Sequence, residues 1–182
     1  MRLTHLVARF FESLRAAPLD DADSAWVADA LLPVEMQAWD GMNRADRAEG
    51  VAVARRLDTA LAGTPDATDA RWRAAALLHD AGKQLSGYGT VGRAAVTAVA
   101  FVAGKDRARR WASAESPTRA RMGRYVAHDA LGAVLLRDAG ARAEVAAWAE
   151  AHHRPARWAT TGIPIAVCRA LAAADGEPAT AD

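Results

Sequence analysis

Cysteine is almost absent: Cys168 stands alone in 182 residues. A single thiol excludes both a disulfide framework and a thiolate metal cage. Its neighbours Val167 and Leu171 mark it as a buried structural thiol. Lysine is nearly as scarce, with only Lys83 and Lys105, so positive charge rests on arginine. Long apolar runs are missing too. No stretch approaches the roughly 18 apolar residues of a membrane span. Met1 to Ala17 sets Phe10, Phe11 and Leu14 among arginines, not in the uninterrupted apolar core of a signal peptide. The sequence therefore predicts a cytoplasmic protein with no membrane partner. Its net charge of +1 offers no global attraction to nucleic acid or to an anionic membrane surface.

What is present describes an ordinary globular chain. Hydrophobic residues make up 52% and charged residues 25%, which argues against disorder. The length suits one domain with one substantial core. Alanine and leucine dominate the apolar set, and aromatics reach only 6%, a balance that favours helices over strands. The fold class expected is all-α.

Punctuation along the chain divides it into helices. Residues 3–17 form a first helical region and 21–42 a second, interrupted near Pro33. Asn43 or Asp46 caps a third, which runs to Ala62 and stops at Gly63-Thr64-Pro65. Asp66 to Asp69 introduce a helix ending at His79-Asp80 and closed by Gly82. The four glycines between 82 and 92 read as a loop. Helices are expected over 93–103, 127–139, 142–153 and 163–175. The stretch from Lys105 to Arg124 carries seven basic residues against Asp106 and Glu115 and reads as a solvated, basic helix face. The tryptophans are expected in the core, with Trp158 placed to stack on a base.

The chemistry concentrates at Leu77-Leu78-His79-Asp80-Ala81-Gly82-Lys83. An adjacent imidazole and carboxylate at the end of a buried helix need a partner, and a metal ion is one. The carboxylate can bridge two cations while the imidazole holds one, which suits iron, manganese or zinc better than magnesium. Alone, a His-Asp dipeptide is weak. Other polar residues on apolar faces strengthen it. His152 lies at helical spacing from Trp148 and Val145, His128 opens a helix containing Leu131, Val134 and Leu135, and Asp175 follows Cys168 and Leu171. A carboxylate on so apolar a helix is hard to explain without a cation.

In this order, His79-Asp80, His128, His152-His153 and Asp175 resemble the HD-domain superfamily of metal-dependent phosphohydrolases. The likeness is to the branch whose extra histidines build a two-metal site. It covers residues 43–176, with 1–42 as an N-terminal helical extension packed on the core and 177–182 as a polar tail. The resemblance implies a helical bundle with two divalent ions per chain, iron, manganese or zinc. His79, Asp80 and Asp175 would hold the first ion. Asp80 would bridge to a second, completed by His128 and His152. His153 is the weaker ligand, because neighbours on a helix point about 100° apart. Lys83 would act with Asp80 in catalysis and, with Arg124, bind phosphate. The family's first histidine is replaced by Glu49, which shares a stripe with Val53 and Leu57. Glutamate there either alters metal preference or removes the first site.

Three functions follow from the resemblance. The foremost is hydrolysis, by metal-activated water, of a phosphoester or phosphoanhydride in a nucleotide or related small phosphate ester. The alternatives are a di-iron oxygenase and a catalytically impaired nucleotide-binding or regulatory domain. The partner expected is a small phosphorylated substrate, with no nucleic acid, and an oligomer is left open.

Overall fold

A computed structural model describes residues 18–176. The helical region expected over 3–17 and the tail at 177–182 lie outside the described residues. Those described fold into ten α-helices and three short 3₁₀ segments, with no strand among them. The all-α expectation holds. No helix among them is long and apolar enough to cross a membrane.

Each boundary has a local cause. Helix α1 (Asp21–Ala30) starts where the Asp20 side chain accepts the Asp23 N–H at 2.7 Å. The chain then breaks at Leu31-Leu32, and Pro33 opens α2 (Pro33–Asp40) at a position where its missing N–H costs nothing. Glu35 accepts the Leu32 N–H at 2.9 Å. Of the two caps expected for α3 (Arg44–Leu61), Asn43 does the capping, taking the Asp46 N–H at 3.0 Å. Asp69 caps α4 (Ala70–Leu78).

Helix α4 is the hub of the fold. Ala74 to Leu78 are fully buried, so the helix is surrounded on every side. Gly50 of α3 lets that helix approach closely, since a Cβ there would meet the Leu77 carbonyl at 2.7 Å. Helices α1 and α2 pack on α4 and share its core through Val27, Ala30, Ala38 and Trp39.

The glycine-rich stretch after α4 differs from the loop expected. Ala81–Ser86 wind into a 3₁₀ turn, the left-handed residue is Gly87 at φ 63°, and α5 (Thr90–Ala103) begins before Gly92. Gly82 does not close the helix. It lies against the start of α8, where a Cβ would stand 1.9 Å from the His128 carbonyl.

The basic stretch forms α6 (Lys105–Arg110), a 3₁₀ turn at Trp111–Ser113 and α7 (Pro117–Val126). Helices α8 (His128–Asp138), α9 (Ala143–Ala151) and α10 (Ile165–Asp175) complete the bundle, with a 3₁₀ turn at Pro155–Thr160 before the last. Cys168 is fully buried, and burial pushes its thiol pKa up.

Candidate metal centre

The expected ligands sit at helix ends that converge. His79 is the C-cap of α4, His128 the first residue of α8, His152 the C-cap of α9 and Asp175 the last residue of α10. All four are buried, as is Asp80.

The three buried histidines are oriented in one way. The Nδ1 of His79 meets the Ala76 carbonyl at 2.8 Å, that of His128 the Tyr125 carbonyl at 2.9 Å, and that of His152 the Ala149 carbonyl at 2.8 Å. A carbonyl only accepts, so each Nδ1 carries the hydrogen. In the neutral ring each Nε2 is then a lone pair, fixed in direction. All three Nε2 atoms are shielded from solvent and make no hydrogen bond.

Asp80 stands between them. Its Oδ1 lies 3.2 Å from His128 Nε2 and 3.9 Å from His152 Nε2, and its Oδ2 lies 3.3 Å from His79 Nε2. Asp175 Oδ1 approaches the same His79 atom at 3.6 Å. These contacts have ion-pair distance without hydrogen-bond alignment. The Lys83 ammonium donates to Asp80 Oδ2.

Electrostatics follow from this packing. Burial alone would raise the Asp80 pKa, but Lys83 and His79 hold it well below the usual carboxylate range. Burial likewise opposes ionisation of Asp175, yet His79 keeps it at about 2. His79 is buried, which disfavours its charge, but Asp80 and Asp175 outweigh this and hold its pKa well above the ordinary value. His152 goes the other way. Burial, then His153 and His79, push it well below, so its ring stays neutral.

His153 is drawn in more closely than helix geometry suggests. His152 is the C-cap of α9, and His153 follows it where the chain leaves the helix. The His152 and His153 rings lie 3.9 Å apart, and the ligand atoms of His128, His152 and His153 all fall within 4.8 Å of one another. His153 is the exposed member. Glu49 is half-buried and pairs with Arg56 at 3.2 Å, while Arg56 donates to the Ala174 carbonyl at 2.6 Å, beside Asp175.

The basic stretch is largely solvated, as expected, with Lys105, Arg107, Arg110, Arg119 and Arg121 exposed, and two of its arginines also tether the site. Arg121 Nε donates to the Ser86 carbonyl at 2.7 Å and Arg124 Nε to the Leu85 carbonyl at 3.2 Å, fastening α7 to the turn that carries Lys83. Trp158 lies in the core, as expected of the tryptophans, and only its stacking role is corrected. It is buried, donates Nε1–H to the Ala151 carbonyl at 3.1 Å, packs on Trp148 and presents no face for a base.

Three buried carboxylates escaped the sequence reading: Asp46, Asp129 and Glu35, the last paired with Arg142. Asp129 accepts both ends of the Arg109 guanidinium, at 2.9 and 2.7 Å, and Arg154 at 2.9 Å. Burial would raise its pKa, but the bonds from Arg109 and the Ala130 N–H hold it at about 2. It ties α6 and the chain after the histidine pair to α8. The second His-Asp dipeptide, at 128–129, was its signal. Asp46 binds the Arg93 guanidinium, and Arg93 Nε donates to the Tyr88 carbonyl at 2.9 Å. Asp46 sits in a helix's first turn, where acidic residues are commonplace, so no sequence signal marked it.

Three buried Nε2 atoms of fixed direction around a carboxylate suit a divalent cation, which would take the place of the proton that Asp80 and Asp175 favour on His79. The residues present fit a metal. A family model described as the HD domain matches residues 48–180, well over half of the chain. No curated protein and no solved structure gives a significant match. Family match and donor geometry meet on the same helix ends, and the chain belongs to the HD-domain superfamily of metal-dependent phosphohydrolases.

Proposed function

We propose that this protein is a metal-dependent phosphohydrolase acting on a phosphoester or phosphoanhydride of a nucleotide or related small phosphate ester. The observation that carries the reading is the set of three buried Nε2 atoms, on His79, His128 and His152, without hydrogen-bond partners. His79, Asp80 and Asp175 would hold one divalent ion, and Asp80, His128 and His152 a second, with His153 at its exposed side. Iron, manganese and zinc suit such imidazole–carboxylate donors. Bound there, the ions supply Lewis acidity and a lowered pKa for water.

The chain's own residues do the rest. The carbonyls of Ala76, Tyr125 and Ala149 hold three rings in one tautomer. Burial around Asp80 excludes bulk water and strengthens each charge interaction. Lys83 brings a cation to the edge of the donor cluster, where a phosphate oxygen can accept from it. Arg124, on the helix fastened to the same turn, is the candidate for a second phosphate contact.

A second reading is a nucleotide-binding domain with impaired catalysis. It is favoured by Glu49, which stands in place of the family's first histidine and pairs with Arg56. The test is elemental analysis of protein purified without chelator, for wild type and Asp80→Ala, with phosphate release from a nucleotide panel in Mn²⁺. Two ions per chain lost together, with turnover in wild type alone, support the hydrolase. Tight nucleotide binding without turnover supports the second reading. A spin signal from coupled irons with oxygen uptake would replace both with an oxygenase.

A further inference from the structure

Helix α5 presents a face that the metal centre does not use. It is 14 residues long, and its only charged residue, Arg93, pairs with Asp46. Phe101 and Val102 are each 87% exposed and Val91 66%. Ala94, Ala95 and Ala98 are exposed as well. A helix that shows solvent no charge and several large apolar groups marks an interaction site.

The charge beside it identifies the occupant. Residues 90–124 hold eight basic side chains against two acidic ones, and with Arg93 and Arg109 neutralised by Asp46 and Asp129 a local surplus of four positive charges is left in a chain whose total is +1. Lys105, Arg107 and Arg110 follow directly after the apolar end of α5, and all three are exposed. A second copy docked through α5 would bring two positively charged segments together, each with Lys105, Arg107 and Arg110 exposed. Nucleic acid would answer the charge but offers no apolar phase for Phe101 and Val102. A lipid surface supplies both, acyl chains for the apolar face and phosphate or carboxylate headgroups for the cations.

We propose that α5 and the start of α6 form a docking face for anionic membrane surfaces, with Phe101 and Val102 entering the interface and Lys105, Arg107 and Arg110 on the headgroups. The chain lies on the bilayer and does not span it. This face is independent of the hydrolase reading.

The test is flotation of the full chain with phosphatidylcholine vesicles, with and without phosphatidylserine. Binding is expected only with phosphatidylserine, weakening as salt rises. Phe101→Asp with Val102→Asp abolishes it. Neutralising Lys105, Arg107 and Arg110 to glutamine weakens it on the order of 100-fold. Unchanged melting temperatures show that the variants fold, and the charge variant serves should the apolar one unfold. No binding to anionic vesicles, or equal binding by both folded variants, overturns the proposal. So does a wild-type dimer that Phe101→Asp with Val102→Asp converts to a monomer.

Discussion

Gly82 and Gly132 touch backbone to backbone: a Cβ on Gly82 would stand 2.6 Å from the Gly132 nitrogen, besides striking the His128 carbonyl. This contact seats the turn carrying Asp80 and Lys83 on the helix that begins with His128. It brings together residues almost fifty positions apart in the sequence, and it has room for hydrogen alone.

Gly82→Ala should therefore damage both fold and site. The obstructing atoms are backbone and cannot swing away, so a loss of about 1–3 kcal/mol is expected from overpacking, together with a lower metal content. Urea unfolding and elemental analysis check this. Gly89→Ala is the control. Its φ is −75° and nothing lies within 4 Å of a Cβ there, so metal content should hold and stability should fall only by the roughly 0.5–1 kcal/mol of a poorer N-cap. Equal effects from the two would mean that the Gly82 contact is not what matters.

Glu49→His tests the family's first position. If Glu49 attenuates the centre, histidine there raises metal content or phosphate release. No change in either places the position outside the centre. Melting temperature serves as the check that the Glu49–Arg56 pair is not merely structural.

The Glu35–Arg142 pair gives a pH dependence. Glu35 is fully buried, burial opposes its ionisation, and hydrogen bonds from Arg142 outweigh this and lower its pKa from the ordinary 4.5. A depressed folded pKa means that the unfolded chain takes up the proton first. The stability it contributes is present above pH 4.5 and lost as pH falls through the lower folded value. Glu35→Gln should cost about 3 kcal/mol at pH 7, the order expected for breaking a buried pair. The gap between wild type and variant should shrink in acid. A gap constant from pH 7 to pH 3 in urea titrations would rule the account out.

Cys168 should resist a thiol reagent in the folded state. It is fully buried and burial raises its pKa, so little thiolate is present to react. Labelling is expected to follow global unfolding in urea, monitored by mass. Rapid labelling in native buffer would show that this part of α10 opens locally.

Much of the candidate centre was legible because its buried polar residues announce themselves by contrast. His79, His152 and Asp175 interrupt alanine- and leucine-rich helices, and a polar group in such a setting needs a reason. Asp129 and Asp46 offered less. Their partners, Arg109, Arg154 and Arg93, lie at sequence distances that no helical spacing links, so only folding brings the charges together. The tether within the basic stretch was hidden for the same cause. Arginines that end on the carbonyls of Leu85 and Ser86 look, in sequence, like any solvated face.

The sequence by itself determined the helical class, the positions of most breaks and the identity of the polar residues on apolar faces. These follow from local rules of capping, glycine and proline placement, and periodicity. Tertiary structure decided which of them meet. It set three imidazoles around Asp80 and brought His153 alongside His152 where the helix ends. It also made Gly82 a contact point and not a helix stop. Such convergence depends on how closely the helices approach, and that distance is fixed by long-range packing, which no short window of residues contains.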